Sequence, residues 1–336
     1  MVSQSNGVAK IFILGPANSG KTSIARFLAT ANRSFALNTT PSTSIERFKT
    51  LVLALQVNIF VTPGQKRFKA RNFEYLCGII DPKSVILYVV DASERTKMDD
   101  YLKEFMEIMN KVEAVFQKTF PREKIEVAFL AHKQDLTGSL SVKNIFSNGV
   151  MQKISKTFPH INLHLYDTSI FMPTSLLGVI ADLVLSKIIP VNSIKGMLTY
   201  LRDYAEAEAV IIGDGMGLPI FFSGNSGLTS WSAAFAARII ESLEREKEIA
   251  NSLKDEAYIR LLNSSRTIKI RLNLALEESE ILTYIFQCKE HSISLTLINA
   301  RNKANALDAY AMKAVEVLFS KIYRETIGHE CTRAGD

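Results

Sequence analysis

One octapeptide restricts this chain more than any other stretch: Gly15-Pro16-Ala17-Asn18-Ser19-Gly20-Lys21-Thr22. It satisfies GxxxxGK[ST] without a mismatch. A short apolar run, residues 8–14, precedes it, and residues 23–31 (SIARFLATA) read as a helix. Strand, glycine-containing loop and helix in that order are the architecture such a loop requires. Gly15 and Gly20 let the backbone turn tightly and bring its N–H groups, including those of Asn18, Ser19 and Ser23, onto phosphate oxygens. The helix that follows aims its positive end at the same anion. Lys21 is expected to reach the terminal phosphates, and Thr22 to offer its hydroxyl to magnesium.

The chain around this loop alternates strand and helix. Residues 32–44, rich in Ser, Thr and Asn, read as a loop, and residues 45–53 and 55–60 as neighbouring strands. Residues 85–90 (VILYVV) suit a strand buried on both faces. Helical spacing runs over 100–116, with Tyr101, Phe105, Ile108, Met109, Val112, Val115 and Phe116 on one side. Strands are expected at 127–131 and 162–166 and a helix at 175–189. That alternation predicts an α/β domain over 1–190 with a mostly parallel, doubly wound sheet and its ligand at the strand C-terminal ends. Beyond Pro190 the pattern changes. Helix 194–206, strands 209–212 and 219–222, helix 228–248, strands 268–276, 281–287 and 293–298, and helix 305–323 predict an α+β domain over 191–336 with an antiparallel sheet.

The base is read elsewhere than at the phosphates. His132-Lys133-Gln134-Asp135 follows the strand at 127–131 and resembles the [N/T/H]KxD element of GTPases, which implies Lys133 lying along the base with its ammonium toward the loop. A carboxylate there can accept both N1–H and N2–H of guanine, and adenine offers neither donor. A wrong base would leave the carboxylate unpaired, so discrimination should be large. Asp167-Thr168-Ser169, after the next strand, resembles the final base-contacting loop of the same families. Asp91, closing the strand at 85–90, reads as a cap for a helix from Ser93 onward. His132 reads as a loop hydrogen-bonder and Asp214 as a turn residue. Arg26, Arg67 and Arg71 read as surface residues before catalytic ones.

These motifs together resemble the GTPases. Residues 59–68 (IFVTPGQKRF) resemble the second switch of the Ras superfamily. His-Lys-x-Asp followed by Thr-Ser-Ile resembles the Rag/Gtr GTPases, and the Pro-Gly-Gln tripeptide is similar to that of some Rag/Gtr and bacterial MglA-type proteins. Residues 204–224 resemble the opening strands of a roadblock (longin-like) domain. The shortness of both parts resembles an archaeal Rag-like or Arf/MglA-like relative. The resemblance implies GTP/GDP and Mg2+ as cofactors, with base contacts from His132, Lys133, Asp135, Thr168 and Ser169. It implies switch loops near 38–46 and 61–72, with Gly64 at the γ-phosphate and Gln65 orienting the attacking water. For the first-switch threonine that would join Thr22 on the metal, Thr43 is favoured by its distance from the second switch, with Thr40 its rival. Slow, partner-stimulated hydrolysis is implied, as are GAP, GEF or roadblock/longin partners. The roadblock-like part implies a homodimer, or a heterodimer with a related GTPase.

One departure matters. The second switch ordinarily carries an acid where this chain has Val61. Val61 cannot hold a magnesium-bound water, and this opens a second reading, a hydrolysis-deficient, nucleotide-locked scaffold. An ATP-using kinase or ATPase gives His132–Asp135 no role.

Composition narrows the remainder. The net charge of +6 comes without a dense Lys/Arg tract interleaved with aromatics, which disfavours nucleic acid as a partner. Cys77, Cys288 and Cys331 are far apart, so neither a disulfide framework nor a zinc site is expected, and a reducing cytoplasm is. Val2 does not fit myristoylation, and Cys331 does not fit prenylation. No apolar run reaches membrane-spanning length, so any membrane visit is expected to go through a partner.

Overall fold

The computed structural model describes residues 9–40, 42–52, 55–65, 74–146, 154–214, 217–224, 281–288 and 291–298. The expected helices at 228–248 and 305–323, the strand at 268–276, and Arg67 and Arg71 lie outside them. The chain divides into two compact units, the second beginning at Ile188.

The first unit is built on a six-stranded sheet. Its strands are β1 (Ala9–Leu14), β2 (Glu46–Val52), β3 (Leu55–Val61), β4 (Val85–Asp91), β5 (Ile125–His132) and β6 (Ile161–Asp167), in the order β2-β3-β1-β4-β5-β6. β1 pairs in parallel with β3, Ile11 opposite Ile59, and with β4, Ile11 opposite Val85. β4–β5 and β5–β6 are parallel too. Strand order reverses about β1, and a crevice opens at the carboxyl ends where that happens. The loop after β1 lies there.

Every residue of β4 is buried, as its unbroken apolar run requires. Along β1, Phe12 and Leu14 join one core cluster while Ile11 and Ile13 are equally buried, so both sheet faces are covered. Helix α3 (Met98–Thr119) closes that cluster with Tyr101, Phe105, Met109, Val112 and Phe116, the three-and-four spacing of one helical face. Phe105 meets Phe129 edge-on with centroids 5.3 Å apart, and Phe129 meets Phe146 at 4.8 Å. Helix α1 (Lys21–Thr30) follows the phosphate loop. It begins at Gly20 (φ 94) and ends at Ala31 (φ 53), both left-handed.

Residues 32–44 are not all loop. Helix α2 (Arg33–Leu37) forms there because the Asn32 side chain accepts a hydrogen bond from the Phe35 N–H. Five residues are too few to show a period, so composition alone misplaced it. Another short helix, α4 (Val142–Ile145), is capped by Ser141 in the same way. Helix α5 (Pro173–Leu183) follows β6 and starts on a proline.

The second unit carries helix α6 (Val191–Ala205), with Ile194, Leu198, Leu201 and Ala205 buried. A four-stranded antiparallel sheet accompanies it: β7 (Ala209–Asp214), β8 (Pro219–Gly224), β9 (Ile281–Cys288) and β10 (His291–Ile298), in the order β8-β7-β10-β9. Asp214 is a turn residue here: its Oδ1 accepts from the Leu218 N–H at 2.9 Å and its carbonyl from Gly217 at 3.0 Å. Among the described residues no helix is long and apolar enough to cross a membrane.

Candidate nucleotide site

The phosphate loop is shaped by close backbone approach. A methyl group on Gly15 would lie 2.1 Å from the Val89 carbonyl oxygen, and the residue sits at φ 134, so only glycine fits. A methyl on Gly20 would lie 2.7 Å from the His132 ring, and one on Gly64 only 2.4 Å from the Ala17 nitrogen. Gly64, in the segment expected to form the second switch, therefore rests directly against the phosphate loop. Within the loop, the Ser19 hydroxyl donates to the Pro16 carbonyl at 3.0 Å. The buried Lys21 ammonium donates to that carbonyl as well.

A cavity of about 280 Å³ opens over this loop. Residues 17–23 line it, together with Thr39, Thr40, Ser42, Thr62, Gly64 and Gln65. The structure thus brings Asn18, Ser19, Gly20, Lys21, Thr22, Ser23, Gly64 and Gln65 to one place. Of the two candidates for the first-switch threonine, Thr40 lines the cavity and Thr43 is not among its lining residues. The fit to a magnesium triphosphate rests on chemistry. Among the described residues no cluster of three or more His, Cys, Asp or Glu could hold a metal. Magnesium, however, readily takes phosphate oxygens, waters and one or two protein oxygens. Thr22 and Thr40, which line the cavity, would supply such hydroxyls, whereas the Thr62 hydroxyl turns to the Ile13 carbonyl at 3.4 Å and Val61 is fully buried.

The end expected to read the base is built from side chains at and just beyond the ends of three adjacent strands. β4 ends on Asp91 opposite His132, the last residue of β5, and Ala131 lies opposite Asp167 at the end of β6. The Ser169 hydroxyl donates to Asp135 Oδ1 and accepts from the Phe171 N–H at 3.0 Å. His132, only 2% exposed, is hydrogen-bonded through Nδ1 to Thr168 Oγ1 at 3.0 Å. Burial and the nearby Lys133 cation push its pKa down to about 4, so the ring is neutral at physiological pH. His132 is thus a buried strand-end residue that touches Gly20 and Thr168, linking the two loops.

Lys133 turns its ammonium toward the phosphate loop. It sits at φ 65, its ammonium donating to the Asn18 carbonyl at 2.8 Å and to Asp91 Oδ2 at 2.6 Å. Asp91 is no helix N-cap. Its Oδ1 accepts from the N–H and hydroxyl of Ser93, at 3.0 and 2.6 Å, closing a turn, and α3 starts only at Met98 after a short 3₁₀ turn. Nothing in local sequence spacing marks the contact with Lys133, 42 residues away. Arg26 donates to the Asn38 carbonyl and lies over the Phe35 ring.

Phosphate loop, sheet order and base-end carboxylate define a P-loop nucleotide-binding domain of the G-protein type. Residues 10–217, more than half the chain, match a family profile described as the Gtr1/RagA G protein conserved region, and the chain belongs to that family. Two solved structures are similar to it. One is the Arl6 BBS3 small GTPase from Trypanosoma brucei with a bound GppNp nucleotide analogue, at 16% identity and a TM-score of 0.42, covering 54% of this chain and 97% of that one. The other is from the signal recognition particle receptor SRb-GTP/SRX complex of Chaetomium thermophilum, at 18% identity and a TM-score of 0.36, covering 48% and 91%. A search of curated proteins returned no match.

Proposed function

We propose that this chain is a GTP-binding switch that hydrolyses its nucleotide slowly and with help from a partner. The observation that carries the reading is Asp135: a carboxylate held by Ser169, on a loop braced by Lys133 to the phosphate loop. A carboxylate so placed suits the paired N–H donors of guanine. Membership of the Gtr1/RagA family supports the same ligand.

In this reading the loop amides and Lys21 bind the β- and γ-phosphates. Magnesium, held by the phosphates with Thr22 and a first-switch hydroxyl, Thr40 or Thr43, would neutralise developing charge. Gln65 would orient the attacking water beside Gly64. Contacts to the γ-phosphate would order the segments near 38–46 and 61–72, and hydrolysis would release them. The α+β second unit is read as a roadblock-like module pairing with its own kind or with a related GTPase. The site of action is the cytoplasm, with membranes reached through a partner.

The nucleotide that co-purifies with the protein tests the reading, as does competition of GTP and ATP for it. Displacement by ATP as effective as by GTP would overturn it. The second reading, a nucleotide-locked scaffold, is favoured by the buried Val61 in the acid's place. Single-turnover phosphate release separates the two: no release over hours, with cell extract present, selects the scaffold. Light scattering on the full chain at micromolar concentration tests dimerisation, and a monomer there counts against it.

A further inference from the structure

Two non-glycine residues of the site hold left-handed backbone, Asn18 at φ 62 and Lys133 at φ 65. Such conformations persist where their surroundings over-determine them. Here they are tied to each other, because the Lys133 ammonium donates to the Asn18 carbonyl at 2.8 Å. The same ammonium is held from its other side by Asp91 Oδ2 at 2.6 Å. The Asp91 side chain is 9% exposed and that of Lys133 30%, so water competes weakly for the pair. Asp91 cannot swing away, since its other oxygen receives both hydrogen bonds from Ser93. Burial alone would raise the Asp91 carboxyl. The hydrogen bonds from Lys133 and Ser93 outweigh it and hold the group below the ordinary carboxylate range.

We infer that Asp91 is a positioning residue for nucleotide retention: it fixes the Lys133 ammonium on the Asn18 carbonyl and so clamps the base-reading loop to the phosphate loop. The inference rests on the guanine-nucleotide reading above. Asp91 touches no phosphate and reads no base. It acts through Lys133, and through Lys133 on two backbones that bound opposite ends of one ligand. Without the carboxylate, a partly buried ammonium is left with a single carbonyl and is drawn toward water. The two loops then lose their bridge, and bound nucleotide escapes faster.

The test is the dissociation rate of N-methylanthraniloyl-GDP from the full chain, chased with excess unlabelled GDP. Asp91→Asn keeps an oxygen for Ser93 but removes the charge facing Lys133, and should speed release roughly tenfold. Lys133→Met should speed it at least as much. The double variant should be no faster than Lys133→Met alone, because both changes break one bridge. Ser93→Ala removes one of the two hydrogen bonds that pin Asp91 while leaving its charge facing Lys133, and should speed release less than Asp91→Asn does; release as fast as by Asp91→Asn would count against the clamp. Asp91→Glu keeps the charge and should recover part of the lost lifetime, which also serves should the Asn variant fail to fold. Wild-type release by Asp91→Asn, multiplied effects in the double variant, or release by Asp91→Glu as fast as by Lys133→Met would overturn the clamp while leaving the guanine reading intact. A wild-type chain that takes up no guanine nucleotide overturns both.

Discussion

The two ends of the nucleotide site are secured by different means. At the phosphate end, shape is set by backbone pressed on backbone: Gly15 against Val89, and Gly64 against Pro16 and Ala17. At the base end it is set by side-chain chemistry: Ser169 on Asp135, His132 on Thr168, Lys133 between Asp91 and Asn18. A substitution at the first end therefore acts through space, and one at the second through charge and hydrogen bonds.

The steepest way to test that contrast is Gly15→Ala. Overlap with the Val89 carbonyl and an unsuitable backbone angle together should cost on the order of 4 kcal/mol of stability and abolish nucleotide binding. Denaturant unfolding checks this, and a variant as stable as wild type would refute the steric account. Next in size is the pH response of the base end. His132 has its pKa lowered from 6.5 to about 4 in the folded chain. The unfolded chain thus binds the proton more readily, so stability should fall as pH drops from 6.5 towards 4, by up to about 3 kcal/mol. His132→Asn, which cannot titrate, should flatten that part of the profile, and an unchanged slope would assign it elsewhere. Asp135→Asn should weaken GTP by about a hundredfold and favour xanthosine nucleotides, as calorimetry would show. Ser169→Ala, which removes one donor from Asp135, should cost about 1 kcal/mol of GTP affinity with little change in melting temperature.

The same contrast governs how much could be read from sequence. The phosphate loop was legible because all its fixed positions lie within eight residues and each has a local backbone reason. Strands β4 and β5 were legible from unbroken apolar runs, and α3 from its buried face. Family membership agrees with the resemblance drawn from residues 59–68 and from His132 to Ser169. The part of Asp91 in the clamp was not legible, since Asp91 and Lys133 come together only because β4 and β5 pair with Asp91 opposite His132. A charged residue ending a buried strand was the one visible hint, and local capping explained it equally well. Helix α2 was hidden by its length. The first-switch threonine was hard to fix from spacing alone, because Thr39, Thr40 and Ser42 approach the phosphate loop by a path that distance along the chain does not encode.

The close seat of Gly64 on Pro16 and Ala17 bears on how the protein behaves as ionic strength varies. Contact repulsion between uncharged backbones is indifferent to dissolved salt, and a bridge as enclosed as that between Lys133 and Asp91 is screened by it only weakly. Both ends of the site should therefore keep their geometry as salt concentration rises.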